Sequence, residues 1–173
     1  MTELVTRRLT LRAPRAEDAP RFALGLSEFA VARWLTPMPW PFTLAMARDY
    51  LRNAPEPRPE KAFFVIEHPD KGLIGCISMV SELGFWIARP HWNKGYCREA
   101  AAAVIDWHFS GSGAELIRSR AQSDNLASLR VKSKLGFVAT GKEMQFSQPL
   151  QYNVEHVTTA LSRENWMKLR AQL

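Results

Sequence analysis

The residues best suited to chemistry lie in a short turn between an aromatic-rich run and an alanine-rich run. The stretch from Glu82 to Ala103 reads ELGFWIARPHWNKGYCREAAAA; its apolar run ends at Pro90, and a polar turn with Lys94 and Gly95 follows. A strand, a glycine turn and a helix in this order bring unbonded backbone N–H groups to one point. A helix N-terminus also favours negative charge. The sequence therefore predicts an anion-binding turn, with phosphate as the commonest such anion.

The residues before this turn predict elements that would help to hold it. Residues 8–12 alternate apolar side chains with polar ones, which is typical of a half-buried strand. Asp18 and Thr43 are each placed to cap a helix. The helices that they would start are predicted over 19–26 and 44–53. The N-terminal part of the chain is thus expected to be a strand followed by two helices.

From Lys61 the hydrophobic period changes to that of β-strands. Three short runs, AFFVIEH, GLIGCISMV and ELGFWIA, predict an antiparallel meander that leads into the turn. The elements predicted after it are a helix over about 95–110, a strand over 115–122, a helix over 126–134, the strands FVATGKE and YNVEHVTTAL, and a terminal helix from Ser162. Helices inserted among antiparallel strands indicate an α+β fold, and we expect a single domain over residues 1–173.

Length and composition limit the class of protein. The chain has 173 residues, of which 46% are hydrophobic and 23% charged, and this is ordinary for a soluble globular protein. No apolar run approaches the roughly 20 residues that a membrane span requires. The first residues lack the pattern of a secretory signal. We therefore expect a cytoplasmic protein without a membrane partner.

The two cysteines have no spacing typical of a disulfide framework or a metal site, and no metal is expected. Cys76 lies in an apolar run and is interpreted as a small core residue. Cys97 lies in the anion-binding turn. A thiol function for Cys97 stays open beside the simpler interpretation that the turn needs a small side chain there.

The net charge of +6 raises the question of a nucleic-acid partner. The Lys and Arg residues are dispersed, and only the run RVKSK at 130–134 is dense. A basic surface for a polyanionic small molecule explains this run as well as nucleic acid does. Because no strand face interleaves aromatic and basic side chains, we expect no nucleic-acid partner.

Two motifs resemble one family of enzymes. The segment WNKGYCREA follows an aromatic strand and NLASLRVKSKLGF follows the next strand, and in this order they resemble the GNAT N-acyltransferases, most closely the RimJ/RimL-like branch. The opening TRRLTLRAPRAEDAP and the later LSRENW are similar to the same branch, so the resemblance covers nearly the whole chain. It implies the GNAT fold, a mixed and mainly antiparallel sheet flanked by helices, in which a splayed strand pair forms the coenzyme A cleft.

The turn itself is similar to the family's loop of the form Q/R-x-x-G-x-G/A. Trp92 takes the first place, as is usual in the RimJ/RimL-like branch, Gly95 is the glycine and Cys97 is the final small residue. Asn93 stands where that branch often has glycine, and Cys97 stands where Gly or Ala is usual. Both differences are compatible with the backbone geometry of the loop.

The resemblance implies that acetyl-CoA is the co-substrate and that the turn holds its pyrophosphate. The N–H groups of residues 94–98 would bind the phosphates, and Lys94 and Arg98 would add positive charge. The strand from Gly84 to Ala88 would pair with the peptide-like pantetheine arm. The residues implied in acetyl-CoA binding are Phe85, Trp86, Ile87, Asn93, Lys94, Gly95, Tyr96, Cys97, Arg98, Asn125 and Ser128.

In the second motif, Asn125 and Ser128 match the family's N-x-x-S. Asn125 would bond the amide groups of pantetheine, cap the helix that follows, or do both. Many family members carry a tyrosine at the position of Lys132, where it protonates the departing thiolate, and this chain has none there. We therefore hypothesise that Ser128 stabilises the coenzyme A thiolate, as the RimJ/RimL-like pattern suggests.

Amide formation from a thioester needs a neutral amine, so a group near the cleft or a water molecule must accept a proton. The candidates are Glu82 at the start of the cofactor strand and Glu155 or His156 on the late strand. Adjacent strand residues point to opposite faces, so at most one of Glu155 and His156 faces the cleft. Glu82 is the first choice because it lies near the meander turn. The family implies direct transfer in a ternary complex, without a covalent nucleophile.

The acceptor should be selected by the first two helices and by the proline-rich segment TPMPWPF (36–42), which cannot form regular helix or a central strand. Trp34, Trp40, Phe42 and Trp86 either line the acceptor cleft or pack in the core. The family implies a primary amine, on a small molecule or a protein N-terminus, and a monomer or homodimer. The alternative is a catalytically degenerate CoA-binding protein that acts as a sensor or structural module.

Overall fold

The computed structural model describes residues 2–171, which form one eight-stranded sheet with helices on both faces. The strands are β1 (Glu3–Val5), β2 (Thr10–Arg12), β3 (Ala62–His68), β4 (Gly72–Met79), β5 (Leu83–Ile87), β6 (Leu116–Gln122), β7 (Val138–Ser147) and β8 (Tyr152–Ser162). The helices are α1 (Ala19–Ser27), α2 (Phe29–Ala32), α3 (Leu44–Arg52), α4 (Tyr96–Gly111), α5 (Leu126–Lys134) and α6 (Arg163–Arg170). The predicted α+β fold is confirmed.

The sheet has the strand order β1-β2-β3-β4-β5-β6-β8-β7. All neighbouring strands are antiparallel except β5 and β6, which are parallel. The three strands predicted as a meander are β3, β4 and β5, and they pair in that order. The meander therefore ends at the middle of the sheet, where the predicted turn begins.

Two apolar cores lie on the two faces of the sheet. One core contains residues of α4 and α6, such as the fully buried Trp166, and we call this side the α4 face. The other contains residues of α1 and α3, and we call it the α1 face. Along β5, Leu83 and Ile87 belong to the α4 face and Trp86 to the α1 face, as strand alternation requires.

Near the N-terminus the structure contains three short elements that the sequence did not predict. They are the three-residue strand β1, a 3₁₀ turn over Ala16–Asp18 and the four-residue helix α2. The strand predicted over residues 8–12 is observed only over Thr10–Arg12. Elements of this length are too short to show a hydrophobic period, so the pattern could not reveal them.

Asp18 has a different role from the predicted helix cap. Its side chain makes no capping bond to α1. Instead its carboxylate accepts two hydrogen bonds of 2.8 Å from the guanidinium of Arg12 and one of 2.7 Å from the backbone N–H of Arg15. Arg12 also donates to Glu67 at 2.6 Å. Asp18 therefore ties the start of α1 to β2.

The other predicted helix ends are confirmed. Thr43 Oγ1 accepts a hydrogen bond from the backbone N–H of Met46 at the start of α3. Ser162 Oγ accepts one from Asn165 at the start of α6. Gly136 follows α5 with a φ of 88°, the left-handed conformation that ends a helix at low cost for glycine.

The sheet opens between β5 and β6, directly beside the turn. Helix α4 joins these two strands, as a parallel pair requires a crossover connection. They share only one paired position, Leu83 with Ser119, and Ser119 Oγ donates to the Leu83 carbonyl at 2.6 Å. Beyond that point, residues 84–87 and residues 120–122 do not pair with each other. We call the gap between these two segments the wedge.

Candidate active site

The turn after β5 presents backbone N–H groups without protein acceptors. Asn93 and Gly95 have φ values of 60° and 78°. Helix α4 begins at Tyr96, so its first N–H groups have no carbonyl one turn earlier to bond. Among residues 2–171, no backbone or side-chain oxygen accepts a hydrogen bond from the N–H groups of residues 93–98. This is the geometry of an anion-binding turn.

Three hydrogen bonds hold the turn in this shape. Trp92 Nε1 donates to the carbonyl of Ile87 at the end of β5, at 2.6 Å. Lys94 Nζ donates to the carbonyl of Pro90 at 2.9 Å, and Arg8 Nη1 donates to the carbonyl of Lys94 at the same distance. The Lys94 ammonium therefore stabilises the turn itself while it adds positive charge next to the free N–H groups.

Glu99, in the first turn of α4, joins this helix to the N-terminal segment. Its carboxylate accepts hydrogen bonds from Thr6 Oγ1, the Arg8 N–H and Arg8 Nε at 2.7–2.8 Å. Burial acts to raise the pKa of Glu99, but the bonds from Thr6 and Arg8 outweigh it and hold that pKa below its ordinary value. The ionised carboxylate thereby fixes the Arg8 guanidinium beside the turn.

Basic side chains surround the turn. The Arg8 guanidinium lies 4.6 Å from the ring centre of Tyr96, and Lys71 Nζ lies 3.3 Å from the Tyr96 hydroxyl. Lys94 and Arg98 are exposed within the turn and the first turn of α4. A polyanion that approached the free N–H groups would meet a positive field from all of these cations.

Along the wedge, strand β5 offers a ligand its unpaired backbone groups, while most of its side chains are buried in the two cores. Trp86 and Ile87 are each 7% exposed and lie in the two apolar cores. The Trp86 ring packs edge-on against Phe22, with ring centres 5.2 Å apart. Phe85 is half-buried, and its ring faces Lys132. Free strand backbone is what pairing with an extended, peptide-like ligand requires.

The opposite side of the wedge carries the start of α5. Asn125 Oδ1 accepts a hydrogen bond of 3.2 Å from the backbone N–H of Ser128, so Asn125 caps this helix. A contact between Asn125 and pantetheine stays a prediction. One helical turn further, Lys132 Nζ donates to Ser128 Oγ at 3.1 Å. The Ser128 hydroxyl is thus already oriented by a cation.

The basic run at 130–134 does not form the continuous surface that the sequence suggested. Arg130 and Lys134 are exposed, but Lys132 is only 3% exposed. The helical period contains the signal for this difference, because Ser128 and Lys132 fall on one face of α5, and the buried Leu135 that follows the helix continues the same spacing. The density of basic residues along the chain does not distinguish the buried Lys132 from its exposed neighbours.

Lys132 is held by polar and aromatic groups. Its Nζ donates to the carbonyl of Arg120 on β6 at 2.6 Å and lies 5.3 Å from the ring centre of Phe85 on β5. Burial lowers the pKa of Lys132 to about 8, while Cys97 and Glu82 act in the opposite direction. A lysine on one wall of the wedge therefore titrates close to neutral pH.

The two cysteines differ in their surroundings but are both protonated at neutral pH. Cys76 is 5% exposed and packs in the α1-face core, so its interpretation as a core residue is confirmed. Cys97 is half-buried against the other core, and burial raises the pKa of its thiol to about 12. Because the thiolate is the reactive form, this environment gives Cys97 no nucleophilic character.

Glu82 lies next to the single paired position of β5 and β6 and forms an ion pair. Arg120 Nε donates to Glu82 Oε1 at 2.7 Å, and Arg120 also pairs with Glu143 on β7. Sequence reasoning missed this cluster of two carboxylates and one guanidinium. Its members come from three separate segments, and only the strand register brings them together.

Glu155 and His156 point to opposite faces, as predicted. Glu155 pairs with Lys142 at 2.9 Å. His156 is 3% exposed, and its Nε2 lies 2.8 Å from Thr36 Oγ1 in the proline-rich segment. Burial lowers the pKa of His156, so its imidazole is neutral at pH 7. His156, and not Glu155, therefore lies on the same side of the sheet as the proline-rich segment.

The four aromatic residues suggested for the acceptor cleft divide into two groups. Phe42 and Trp86 are 6% and 7% exposed and belong to the α1-face core, so core packing is the correct interpretation for them. Trp34 is half-buried, and Trp40 is 41% exposed with its ring against Phe29. Trp40 is therefore exposed within the proline-rich segment that holds Thr36, and the half-buried Trp34 lies two residues before that segment.

The arrangement suits a long, phosphate-bearing ligand. The turn would hold its anionic end, the backbone of β5 would line its middle, and Ser128 and Lys132 would lie beside the wedge. Within residues 2–171 no three His, Cys, Asp or Glu side chains are grouped so as to hold a metal ion. In the same part of the chain, none of the helices has both the length and the apolar character needed to cross a membrane.

Comparison with known proteins identifies relatives. The family model of the acetyltransferase (GNAT) domain matches residues 8–138. Among curated proteins, the uncharacterized N-acetyltransferase p20 of Bacillus licheniformis is 27% identical over 153 residues, which covers 82% of this chain and 85% of that protein. The sequence resemblance to GNAT enzymes is therefore confirmed.

Solved structures with the same architecture include two of related type. RimJ of Mycobacterium smegmatis in complex with CoA-disulfide has a TM-score of 0.79 at 19% identity, covering 99% of this chain and 93% of that one. The ribosomal-protein-S5-alanine acetyltransferase of Vibrio fischeri has a TM-score of 0.77 at 19% identity, covering 96% and 99%. At these identities the likeness shows the fold, and the expected GNAT fold is confirmed.

Proposed function

Because the chain belongs to the GNAT acetyltransferase family, we propose that it transfers the acetyl group of acetyl-CoA to a primary amine by direct attack in a ternary complex. The observation that carries the proposal is the wedge between β5 and β6, with the free N–H groups of residues 93–98 at one end. The N-acetyltransferase name of the Bacillus licheniformis relative supports acetyl transfer in general.

The turn is proposed to bind the pyrophosphate of acetyl-CoA. Free N–H groups at a helix N-terminus complement phosphate oxygens, and Lys94 and Arg98 add positive charge. The unpaired backbone of residues 84–87 is proposed to bond the amide groups of the pantetheine arm, as a strand bonds an added strand. Asn125 is proposed to contact the same arm from the other side of the wedge.

The reaction then needs positioning and a stabilised leaving group. The amine nitrogen attacks the acetyl carbonyl carbon, a C–N bond forms, and the C–S bond breaks with its electron pair on sulfur. An N–H of β5 would polarise the carbonyl. Ser128 Oγ–H would donate to the developing thiolate. The protonated state of the Cys97 thiol supports direct transfer without a cysteine nucleophile.

Glu82 is proposed to accept the proton that the amine loses. A carboxylate can accept that proton directly or through water. Glu82 lies at the start of β5 with 29% of its side chain exposed, held by Arg120. His156 is the second candidate, but its Nε2 already bonds Thr36 and it is almost fully buried. Glu155 is the weakest candidate because it faces away from His156 and pairs with Lys142.

The acceptor is proposed to approach from the α1 face. Glu82 and Glu143 together carry more negative charge than Arg120 balances, so this region attracts the ammonium form of an amine. The Vibrio fischeri enzyme, named for ribosomal protein S5 alanine, makes a protein amine one candidate acceptor. A small-molecule amine is the other.

The test is release of free thiol from acetyl-CoA across a panel of small amines and of peptides with free N-termini. We expect release that depends on one class of amine and falls about 100-fold in Glu82→Gln. Glu60→Gln, a change at an exposed glutamate, is the matched control and should behave as wild type. Binding of acetyl-CoA without amine-dependent release from any acceptor would contradict the proposal and would favour a CoA-binding sensor.

A further inference from the structure

Lys132 is a buried cation that the mechanism above does not use. A lysine side chain is almost never fully buried unless it is paired, because removing an ammonium group from water is costly. Lys132 is 3% exposed, and within residues 2–171 no carboxylate forms a salt bridge with it. Lys134, two residues later on the same helix, is exposed. Within residues 2–171, the ammonium group of Lys132 is therefore buried without a carboxylate partner.

The hydrogen bonds of this ammonium group constrain the hydroxyl group of Ser128. An ammonium group has three donors and no acceptor, so in the 3.1 Å contact between Lys132 Nζ and Ser128 Oγ the lysine must donate. The hydroxyl proton of Ser128 then points away from Lys132. Nζ also donates to the carbonyl of Arg120 on β6 and lies 5.3 Å from the ring centre of Phe85 on β5. Lys132 thus lies between the two strands that border the wedge.

We propose that Lys132 is the proton source for the leaving coenzyme A thiolate and acts through the hydroxyl group of Ser128. The inference rests on the acetyl transfer proposed above. When the C–S bond breaks, its electron pair stays on sulfur, Ser128 Oγ–H gives its proton to sulfur, and Lys132 Nζ–H gives a proton to Ser128 Oγ. The amine loses one proton to Glu82 and the thiolate gains one from Lys132, so the step balances. Lys132 then regains a proton from solvent.

The groups that face Lys132 support this role. Burial lowers the pKa of Lys132 to about 8, and the titratable groups that counteract burial are Cys97 on α4 and Glu82 before β5. From β5 it is faced by the ring of Phe85, and from β6 by the carbonyl of Arg120. At pH 7 the ammonium form therefore predominates, yet its pKa is close to that of an ordinary thiol, about 8.5. A proton can then move between them in either direction with little cost.

The first experiment measures the thiol of bound coenzyme A and needs no acceptor. The product CoA is added to wild type, Lys132→Met and the control Lys134→Met, and the pKa of the bound thiol is read from the ultraviolet absorbance of its thiolate. A cation linked to the sulfur through one hydroxyl lowers the thiol pKa, so we expect a rise of about one unit in Lys132→Met and none in Lys134→Met. Lys132→Gln, whose amide can still donate to the Arg120 carbonyl, should give the same rise and serves if Lys132→Met does not fold.

The second experiment is the pH dependence of turnover with saturating acetyl-CoA. Because the ammonium form of Lys132 is required, wild-type kcat should fall as the pH rises through about 8. In Lys132→Met this fall should disappear, and kcat at pH 7 should be about 100-fold lower while the Kd of acetyl-CoA is unchanged. A purely structural lysine would alter stability and Kd and would leave the shape of the pH profile as it is.

The outcomes separate the two proposals. An unchanged thiol pKa in both Lys132 variants, with CoA still bound, overturns the role of Lys132 and leaves acetyl transfer intact. Failure of wild type to bind CoA overturns the acetyl transfer and the role of Lys132 with it. A raised thiol pKa together with the lost alkaline fall in kcat supports both.

Discussion

The proposed roles of Ser128 and Lys132 in the reaction depend on the hydrogen bond between their side chains. A serine in the first turn of a helix is ordinary, and so is a lysine in a basic run. Here Lys132 donates to Ser128 Oγ and is buried beside the wedge, so the serine presents its proton on the opposite side. The proposed stabilisation of the leaving group is therefore tested at Ser128, by deleting one oxygen atom.

Replacing Ser128 with alanine should lower kcat about 100-fold, since the thiolate loses its hydrogen-bond donor in the transition state. The affinity for acetyl-CoA should change little, because the proposed contacts to the phosphates and the pantetheine arm lie elsewhere. Steady-state kinetics gives kcat, and calorimetry gives Kd. Ser133→Ala, at an exposed position of the same helix, is the control. Wild-type turnover in Ser128→Ala would show that the hydroxyl has no role in the reaction.

Part of the site could be predicted from residue types, and part could not. The turn at Gly95 and the helix cap of Asn125 could be predicted because both are local features of a motif. The role of Ser128 in the reaction stays a prediction. The pairing of Glu82 with Arg120 was not found, and neither was the burial of Lys132. The ion pair depends on which strand lies opposite which, and a one-residue change of register would undo it. The burial of Lys132 depends on how α5 packs against β5 and β6.

At the scale of elements, the turn and α4 form one unit. Gly95, the residue before α4, has a φ of 78°, and Glu99 in the first turn of the helix holds Arg8 against the turn. The left-handed conformation costs any other residue about 1–2 kcal/mol. The free N–H groups therefore depend on a backbone shape that glycine allows.

Gly95→Ala should raise the Kd of acetyl-CoA about tenfold, the effect of about 1.4 kcal/mol. The added Cβ would be strained and would lie 3.4 Å from Arg8 Nη2, so the N–H groups would turn away from the phosphates. Calorimetric titration measures the change. Gly113→Ala, whose Cβ would meet no atom within 4 Å, is the matched control. Equal affinities for the two variants would rule out the turn as the phosphate site.

A second element-scale contact joins β2 to α1 through Arg12 and Asp18. Burial acts to raise the pKa of Asp18, but bonds from Arg12 and the Arg15 N–H outweigh it and hold the pKa below its ordinary value. The stabilisation is therefore present above the unfolded-state pKa of about 3.9 and is lost as the pH falls through the folded-state pKa.

Asp18→Asn should lower the free energy of unfolding at pH 7 by about 3 kcal/mol, because the Arg12 guanidinium stays buried with one partner fewer. The difference from wild type should shrink as the pH falls below about 4, where Asp18 protonates first in the unfolded chain and, at lower pH, in the folded protein. Urea unfolding at both pH values measures it. Asp49→Asn removes an exposed ion pair with Arg52 and should change stability very little. A difference that stays constant down to acid pH would contradict this explanation.

At the scale of the whole molecule, the positive charge has a local explanation. Arg8, Lys71, Lys94 and Arg98 are grouped at the turn, where the proposal puts a polyanionic ligand. The α+β fold could be predicted because long periodic strands and capped helices dominate it. The short elements β1 and α2, and the opening of the sheet at one strand pair, could not, since they depend on tertiary packing.

Acetyl-CoA should therefore stabilise the whole fold, and nucleic acid should not. Ligand at 100 times its Kd contributes about 2.7 kcal/mol, which raises Tm by roughly 5–10 °C for a chain of this size. Thermal unfolding with acetyl-CoA, and with an oligonucleotide of equal total charge, makes the comparison. An equal rise with both ligands would indicate a general polyanion surface in place of a coenzyme A site.

Direct transfer is tested by following the acetyl group itself. The protein is incubated with acetyl-CoA carrying an isotopic label in the acetyl group and with the best amine from the thiol-release panel, and all products are analysed by mass spectrometry. Direct transfer predicts one labelled N-acetyl amine for each free CoA formed, with no label on the protein. Free CoA accompanied by labelled acetate, or by label on Cys97 or another residue, would contradict it.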